Sequence, residues 1–335
     1  MSQNVNVPKA ELHCHIEGAA PTNLVKRLAG RHGVDVSEVI DSKGKYVWSD
    51  FTSFLKAYDV ASSVFKVPAD YALLAETYFR MMAAEGAIYG EITISPDHAQ
   101  AAGLSYRSYV EGLAAGIERA KTETAIEGRM IAIGIRHFGS ASVERVVKEV
   151  VANPHPLVTG FGLAGDERSG HPANFSRAFR IAADAGLGTT AHAGEFGGPD
   201  SVIAAMEFLR VKRIGHGVRA IEDRGLVERL VDEEIVLEVC PGSNVALGVY
   251  SHLRFHPVNI LRKEGVKITL NSDDPPYFGT TLGKEYTSVA DTFGWSFEDQ
   301  MAITRTAIEA AFCDTATKKR LLVRLDSANQ QDSDG

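Results

Sequence analysis

Four histidines and several carboxylates lie where they can act together. His13 and His15 stand two apart in Glu11-Leu12-His13-Cys14-His15-Ile16-Glu17-Gly18. In an extended segment this spacing turns His13, His15 and Glu17 to one side and Leu12, Cys14 and Ile16 to the other. Two imidazoles on one face make a divalent-metal pair or, equally, two solvated or hydrogen-bonded rings. Cys14, turned away, reads as a small core residue. A third imidazole occurs in Thr190-Ala191-His192-Ala193-Gly194-Glu195, with a carboxylate three residues on. His216 lies between Gly215 and Gly217, where the backbone can come close to a ligand. Asp273 and Asp274 are adjacent, and neighbouring carboxylates repel unless a cation or a proton separates their roles.

Singly, each group has an ordinary role: helix caps for the aspartates, a satisfied core histidine for His216. Jointly they assemble a reaction. Zn²⁺ accepts imidazoles and a carboxylate, so His13, His15, His192 and one of the aspartates supply a ligand set with room for a water. Such a water has its pKa lowered towards about 7, which makes hydroxide available. Glu195 and His216 remain to handle protons, and the second aspartate can share one with a substrate nitrogen. This is the equipment of hydrolytic attack on an unsaturated carbon.

The elements that must position these groups are legible as alternating segments. Apolar or β-branched runs occur at 10–16, 88–95, 130–137, 157–163, 187–192, 213–216, 235–240 and 266–271. Helical apolar spacing fills 71–87, 106–121, 143–151, 174–186, 201–209 and 221–234 between them. Eight such β/α units predict an α/β fold, a (β/α)8 TIM barrel, with chemistry at the C-terminal ends of its strands. The stretch from Gly18 to Pro68 is too long for one crossover helix and predicts a helical lid after strand 1. Helical patterns at 296–312 and 315–325 predict extra C-terminal helices. Residues 1–325 read as a single domain and 326–335 as a polar, disordered tail.

Composition sets the outer bounds. With 44% hydrophobic and 23% charged residues the chain can bury a sizeable core, which excludes disorder for its bulk. A net charge of −8 opposes nucleic-acid backbones and anionic membrane surfaces as partners. No apolar run is long enough for a transmembrane helix, and residues 1–7 lack the features of a signal peptide. Three scattered cysteines make no disulfide framework, so a cytoplasmic location is expected. Oligomeric state leaves no mark in the sequence.

His13-Cys14-His15, Gly165-Asp166-Glu167, His192-Ala193-Gly194-Glu195, Gly215-His216-Gly217, Cys240-Pro241-Gly242-Ser243-Asn244 and Ser272-Asp273-Asp274-Pro275 resemble, in order, the motifs of the adenosine/adenine deaminase family. That family belongs to the amidohydrolase superfamily of metal-dependent barrels, and the resemblance runs from about Pro8 to Leu325. It implies His13, His15, His192 and Asp273 as ligands of one Zn²⁺ per chain. It implies Glu195 as proton donor to N1 of a purine and His216 as the group that orients or deprotonates the water and stabilises the alkoxide. Asp274 would hydrogen-bond N7, and Gly165 would offer its backbone N–H to N3. His15 and Glu17 complete the implied substrate contacts. The stretch 157–171 holds no lysine, so a carboxylated lysine bridging two metals is not expected.

The implied reaction is hydrolytic deamination of a small-molecule 6-aminopurine. Leu163-Ala164-Gly165-Asp166-Glu167 has the form seen in nucleoside deaminases and points to adenosine or deoxyadenosine, giving inosine and ammonia. Glu17, where adenosine-specific members usually have Asp for the ribose, points to the alternative, adenine to hypoxanthine, or to another N6-amino purine derivative. A hydrolase of cyclic amides would need the same histidines but not Glu195 and Asp274 placed for a purine edge. A non-catalytic metal barrel would need neither Glu195 nor His216. Elsewhere, His137 can line the pocket, and Glu91 and Glu238 read as members of buried networks. His32, His155, His171, His252 and His256 default to surface or capping roles. Phe51, Phe54 and Leu55 form either an apolar wall over the purine or the packing face of a short helix.

Overall fold

The computed structural model describes residues 7–333. Residues 1–6, read as free of a signal peptide, and residues 334–335 of the tail lie outside that range. The apolar runs become parallel strands: β1 (Lys9–Glu11), β2 (Ala87–Ile94), β3 (Glu127–Ile135), β4 (Val158–Ala164), β5 (Gly188–Ala193), β6 (Arg213–His216), β7 (Val236–Val239) and β8 (Lys267–Leu270). They pair in chain order as one eight-stranded sheet. Most of their residues are buried on both faces, which suits strands covered by helices outside and by layered side chains inside. This is the expected (β/α)8 barrel.

Its seam closes at the C-terminal end of the strands. An isolated parallel bridge joins Cys14 to Asp273, with His15 N donating to Asp273 O at 3.0 Å and Asp273 N to His13 O at 3.1 Å. Below that bridge a side chain replaces the backbone partner, as Leu12 N donates to Asn271 Oδ1 at 2.8 Å. For this reason β1 ends at Glu11, whereas the apolar pattern extends it to Ile16. The barrel is therefore stitched shut by the same segments that carry His13, His15 and Asp273.

Helices start close to the strand ends. Pro96, Pro241 and Pro275 each occupy a first helical position, where the missing N–H costs nothing and φ is already suitable. The lid holds helices Thr22–His32 and Phe51–Ser62. The second begins at a capping box in which Ser53 N donates to Asp50 Oδ1 at 2.8 Å and Asp50 N donates to Ser53 Oγ at 3.0 Å. The C-terminal helices Phe297–Ala310 and Thr315–Ser333 bring Met301, Ile308, Leu321 and Leu325 onto Val7, Ala10 and Leu12. The last helix runs on through residues 326–333, beyond Leu325. Among the described residues no helix is long and apolar enough to cross a membrane.

Candidate active site

Three imidazoles and one carboxylate converge at the closed end of the seam. His13 Nε2 and His15 Nε2 each lie 3.1 Å from His192 Nε2. Asp273 Oδ1 lies 3.5 Å from His13 Nε2 and 3.4 Å from His15 Nε2. The four residues offer ligand atoms close enough to share one metal ion. The distal nitrogens fix the ring orientations. His13 Nδ1 lies 2.7 Å from Glu238 Oε2, and His192 Nδ1 lies 3.0 Å from the Leu163 carbonyl oxygen. Donation from both Nδ1 atoms directs the Nε2 lone pairs to the common centre, the usual support for metal-bound histidine.

Electrostatics agree with a cation at that centre. Burial and the neighbouring rings push His192 well below its ordinary pKa, and burial takes His15 to about 4, so both are neutral donors. Burial works against charge on His13 too, yet the hydrogen bonds and charges of Asp273 and Glu238 carry it up to about 10. Burial would likewise raise Asp273, but the His13 hydrogen bond and the charges of His216, His13 and His15 hold it well below the carboxylate range. The site attracts positive charge, and its donor set suits a divalent metal.

The supports reach across the barrel. Glu238 also accepts from Thr190 Oγ1 at 3.0 Å and from Arg213 Nε at 2.5 Å, and Arg213 Nη1 donates to Glu91 Oε2 at 2.7 Å. Phe312 stacks 3.7 Å beneath that guanidinium. The network read from Glu91 and Glu238 is thus a buried ion-pair relay ending on His13. Ser243 Oγ donates to Asp273 Oδ2 at 2.6 Å, which leaves Oδ1 facing the imidazoles. Gly215 is required by this packing, because a Cβ there would meet His13 Cε1 at 2.6 Å.

Glu195, His216 and Asp274 line one cavity with His15, His192 and Asp273. His216 and Asp273 both adopt left-handed backbone, with φ of 62° and 63°, a conformation that non-glycine residues keep where surroundings enforce it. Burial, reinforced by Asp273 and Glu167, pushes Glu195 well above the carboxylate range. Burial followed by the charge of Asp273 does the same to Asp274. Both carboxyls therefore hold their protons more tightly than an exposed carboxylic acid does. Asp274 Oδ1 is buried without a hydrogen-bond partner among the described residues. Gly165, at φ 94°, lines the same cavity, and a Cβ there would meet His137 Nδ1 at 2.7 Å.

Other residues land differently from their sequence reading. Glu17 does not line the cavity with His15. The chain turns at 16–19, and the Glu17 oxygens accept from Tyr109 Oη at 2.5 Å and Tyr58 Oη at 3.3 Å. Strand alternation, which grouped it with His13 and His15, stops before it. His256 is buried rather than superficial and hydrogen-bonds Asn244. Phe51, Phe54 and Leu55 do both things considered for them. They line the cavity, and Phe54 also packs on Trp48 and Tyr277. His137 lines it too.

Two supports carried no role in the sequence reading although they lie in quoted motifs. Glu167 accepts from the backbone nitrogens of Gly194, Glu195, Phe196 and Gly197 at 2.6, 3.1, 2.7 and 2.8 Å, and from Ser201 Oγ at 2.5 Å. Asn244 lies within hydrogen-bonding distance of both Glu195 and His216. Motif membership was the only signal available for either.

The adenosine deaminase family model matches residues 8–328. The chain is 56% identical over 317 residues to an adenine deaminase of Chelativorans sp. (strain BNC1), covering 95% of this chain and 97% of that protein. Its fold is similar to the crystal structure of an adenine deaminase from Arthrobacter aurescens, with a TM-score of 0.91 and 31% identity, covering 97% of this chain and 99% of that one. It is also similar to an amidohydrolase from B. ambifaria with bound Zn, with a TM-score of 0.88 and 25% identity, covering 99% and 94%. The chain belongs to the adenosine deaminase family of the amidohydrolase superfamily and is a hydrolase of carbon–nitrogen bonds in cyclic amidines.

Proposed function

We propose that the protein, acting as one deaminase unit over residues 1–325, converts adenine and water to hypoxanthine and ammonia. Whole-length likeness to the Chelativorans adenine deaminase carries the choice of substrate. It replaces the expectation of adenosine. Glu17 supports the same choice, because its carboxylate oxygens are engaged by Tyr58 and Tyr109 and do not face the cavity.

His13, His15, His192 and Asp273 would hold the metal, with zinc as the ion of choice for three imidazoles and a carboxylate. When bound, the ion lowers the pKa of a water so that hydroxide is available near neutral pH. The chain's own groups supply the rest. Glu195, kept protonated by burial, gives its proton to N1, which draws electrons away from C6. Asp274, also protonated, donates to N7 through a carboxyl that has no partner at Oδ1 among the described residues. The Gly165 backbone N–H faces N3. His216, beside Glu195 and Asp273, hydrogen-bonds the oxygen that adds to C6. The amine takes the proton of the added C6 hydroxyl, the C6–N bond breaks, and ammonia leaves hypoxanthine, while the proton shed by the water restores Glu195.

Phe51, Phe54, Leu55 and Ile135 enclose the flat ring and exclude bulk water, which strengthens each of these hydrogen bonds. Turnover of adenine compared with adenosine tests the proposal.

A further inference from the structure

Asn244 is fully buried in the short helix Pro241–Ala246 that follows β7. Its amide nitrogen lies 3.3 Å from Glu195 Oε1 and 3.2 Å from His216 Nδ1. Its amide oxygen lies 3.1 Å from His256 Nε2. The other nitrogen of that ring, His256 Nδ1, lies 3.1 Å from the backbone nitrogen of Val258.

The direction of every bond in this chain is set from its far end. A backbone N–H only donates, so His256 Nδ1 is an acceptor and carries no proton. Burial pushes the His256 pKa down to about 3, so the neutral ring keeps its one proton on Nε2. That N–H requires an acceptor, which turns Asn244 Oδ1 to His256 and both amide hydrogens to Glu195 and His216. His216 Nδ1 then accepts, and the neutral ring bears its proton on Nε2, the nitrogen 4.0 Å from Asp273 Oδ2. Glu195 Oε1 accepts as well, which leaves Oε2 to carry the acid proton.

We propose that Asn244, keyed by His256, is a positioning residue that presents Glu195 and His216 to the substrate as two hydrogen-bond donors, through Oε2 and Nε2. The proposal rests on the deaminase reading and sharpens it. His216 enters turnover as a donor that stabilises negative charge on the incoming oxygen, not as a base at Nε2. Neither Asn244 nor His256 lines the cavity, so both act through the groups that do.

The tautomer is readable without turnover. ¹⁵N NMR of the metal-loaded full chain carrying ¹⁵N-histidine, with His216 assigned by loss of its signals in His216→Asn, is expected to show the proton on Nε2. In Asn244→Asp a carboxylate faces His216 Nδ1 and draws the proton there. The spectrum should move to the Nδ1–H form, with kcat for adenine falling about 100-fold. His256→Gln, whose amide can still donate to Asn244 Oδ1, should keep the Nε2–H form and most of the activity. A native chain protonated on Nδ1 overturns the proposal even if no variant folds. So does an Asn244→Asp chain with native tautomer and native kcat. A native chain that shows the Nε2–H form but leaves adenine untouched supports the relay and refutes the substrate assignment instead.

Discussion

The carboxylate of Glu167 accepts a hydrogen bond from the backbone nitrogen of Glu195 at 3.1 Å. The same carboxylate takes three further amides of the 194–197 turn and the Ser201 hydroxyl. These donors outweigh the cost of burial and hold Glu167 below the usual carboxylate range. A carboxylate pushed down in pKa therefore builds the turn on which a second acid, pushed up in pKa, is displayed. Glu167→Gln keeps the shape but sets an amide hydrogen against N–H donors, leaving buried donors unpaired. It is expected to destabilise the fold by about 3 kcal/mol and to reduce kcat. Thermal melting and steady-state kinetics check this, and a variant equal to the native chain in both would contradict it.

Glu195→Gln keeps the hydrogen bond from Asn244 available but removes the acid. Metal content should stay native while kcat for adenine falls by a factor of about 10² to 10⁴. Native activity should also decline on the alkaline side as Glu195 gives up its proton, because burial makes the protonated form its working form. Full activity in a metal-loaded Glu195→Gln chain would remove Glu195 as the proton donor.

Chelation should abolish activity, and zinc should restore it. Elemental analysis is expected to find one metal ion per chain, lost in His192→Ala and in Asp273→Ala, because each contributes to the donor cluster of His13, His15, His192 and Asp273. Two ions per chain, or turnover that survives complete removal of metal, would contradict the arrangement.

Glu285 gives a test of stability against pH. Burial raises its pKa from 4.5 to about 7, and its carboxyl accepts from Gly242 N at 3.0 Å. The folded state holds that proton more tightly than the unfolded chain does. The stabilisation is complete below about pH 4.5 and is lost as pH rises through about 7. The loss by pH 8 is about 3 kcal/mol. Glu285→Gln should therefore melt higher than the native chain at pH 8 and close to it at pH 4.5. Parallel melting curves at both pH values would contradict the raised pKa.

The barrel was legible because its signals are local. Apolar runs and helical spacing recur along the chain, and β6 falls at Arg213–His216 as the pattern predicts. His13, His15, His192 and Asp273 converge because each sits at a strand end, which a barrel brings to one rim. Glu17 followed another rule. Side-chain alternation holds only while the chain stays extended, and the turn at 16–19 sends its carboxylate to Tyr58 and Tyr109. Glu167 and His256 were opaque for a different reason. Glu167 serves backbone amides about 30 positions away, and such acceptors impose no residue type on their partners. His256 lies in a loop by sequence, and tertiary contacts with Asn244 and Tyr250 accompany its burial. Residues 326–333 fall within the last helix, and a polar composition does not by itself stop a helix.

The central claim is that this site removes the exocyclic amine of free adenine. Metal-loaded protein assayed by ultraviolet absorbance and ammonia release on adenine, adenosine, deoxyadenosine and 6-aminodeoxyfutalosine tests it most directly. The expected result is hypoxanthine formed from adenine with a kcat/KM above that for any of the nucleosides. Equal or faster turnover of a nucleoside, or no loss of amine from any of the four, would contradict it.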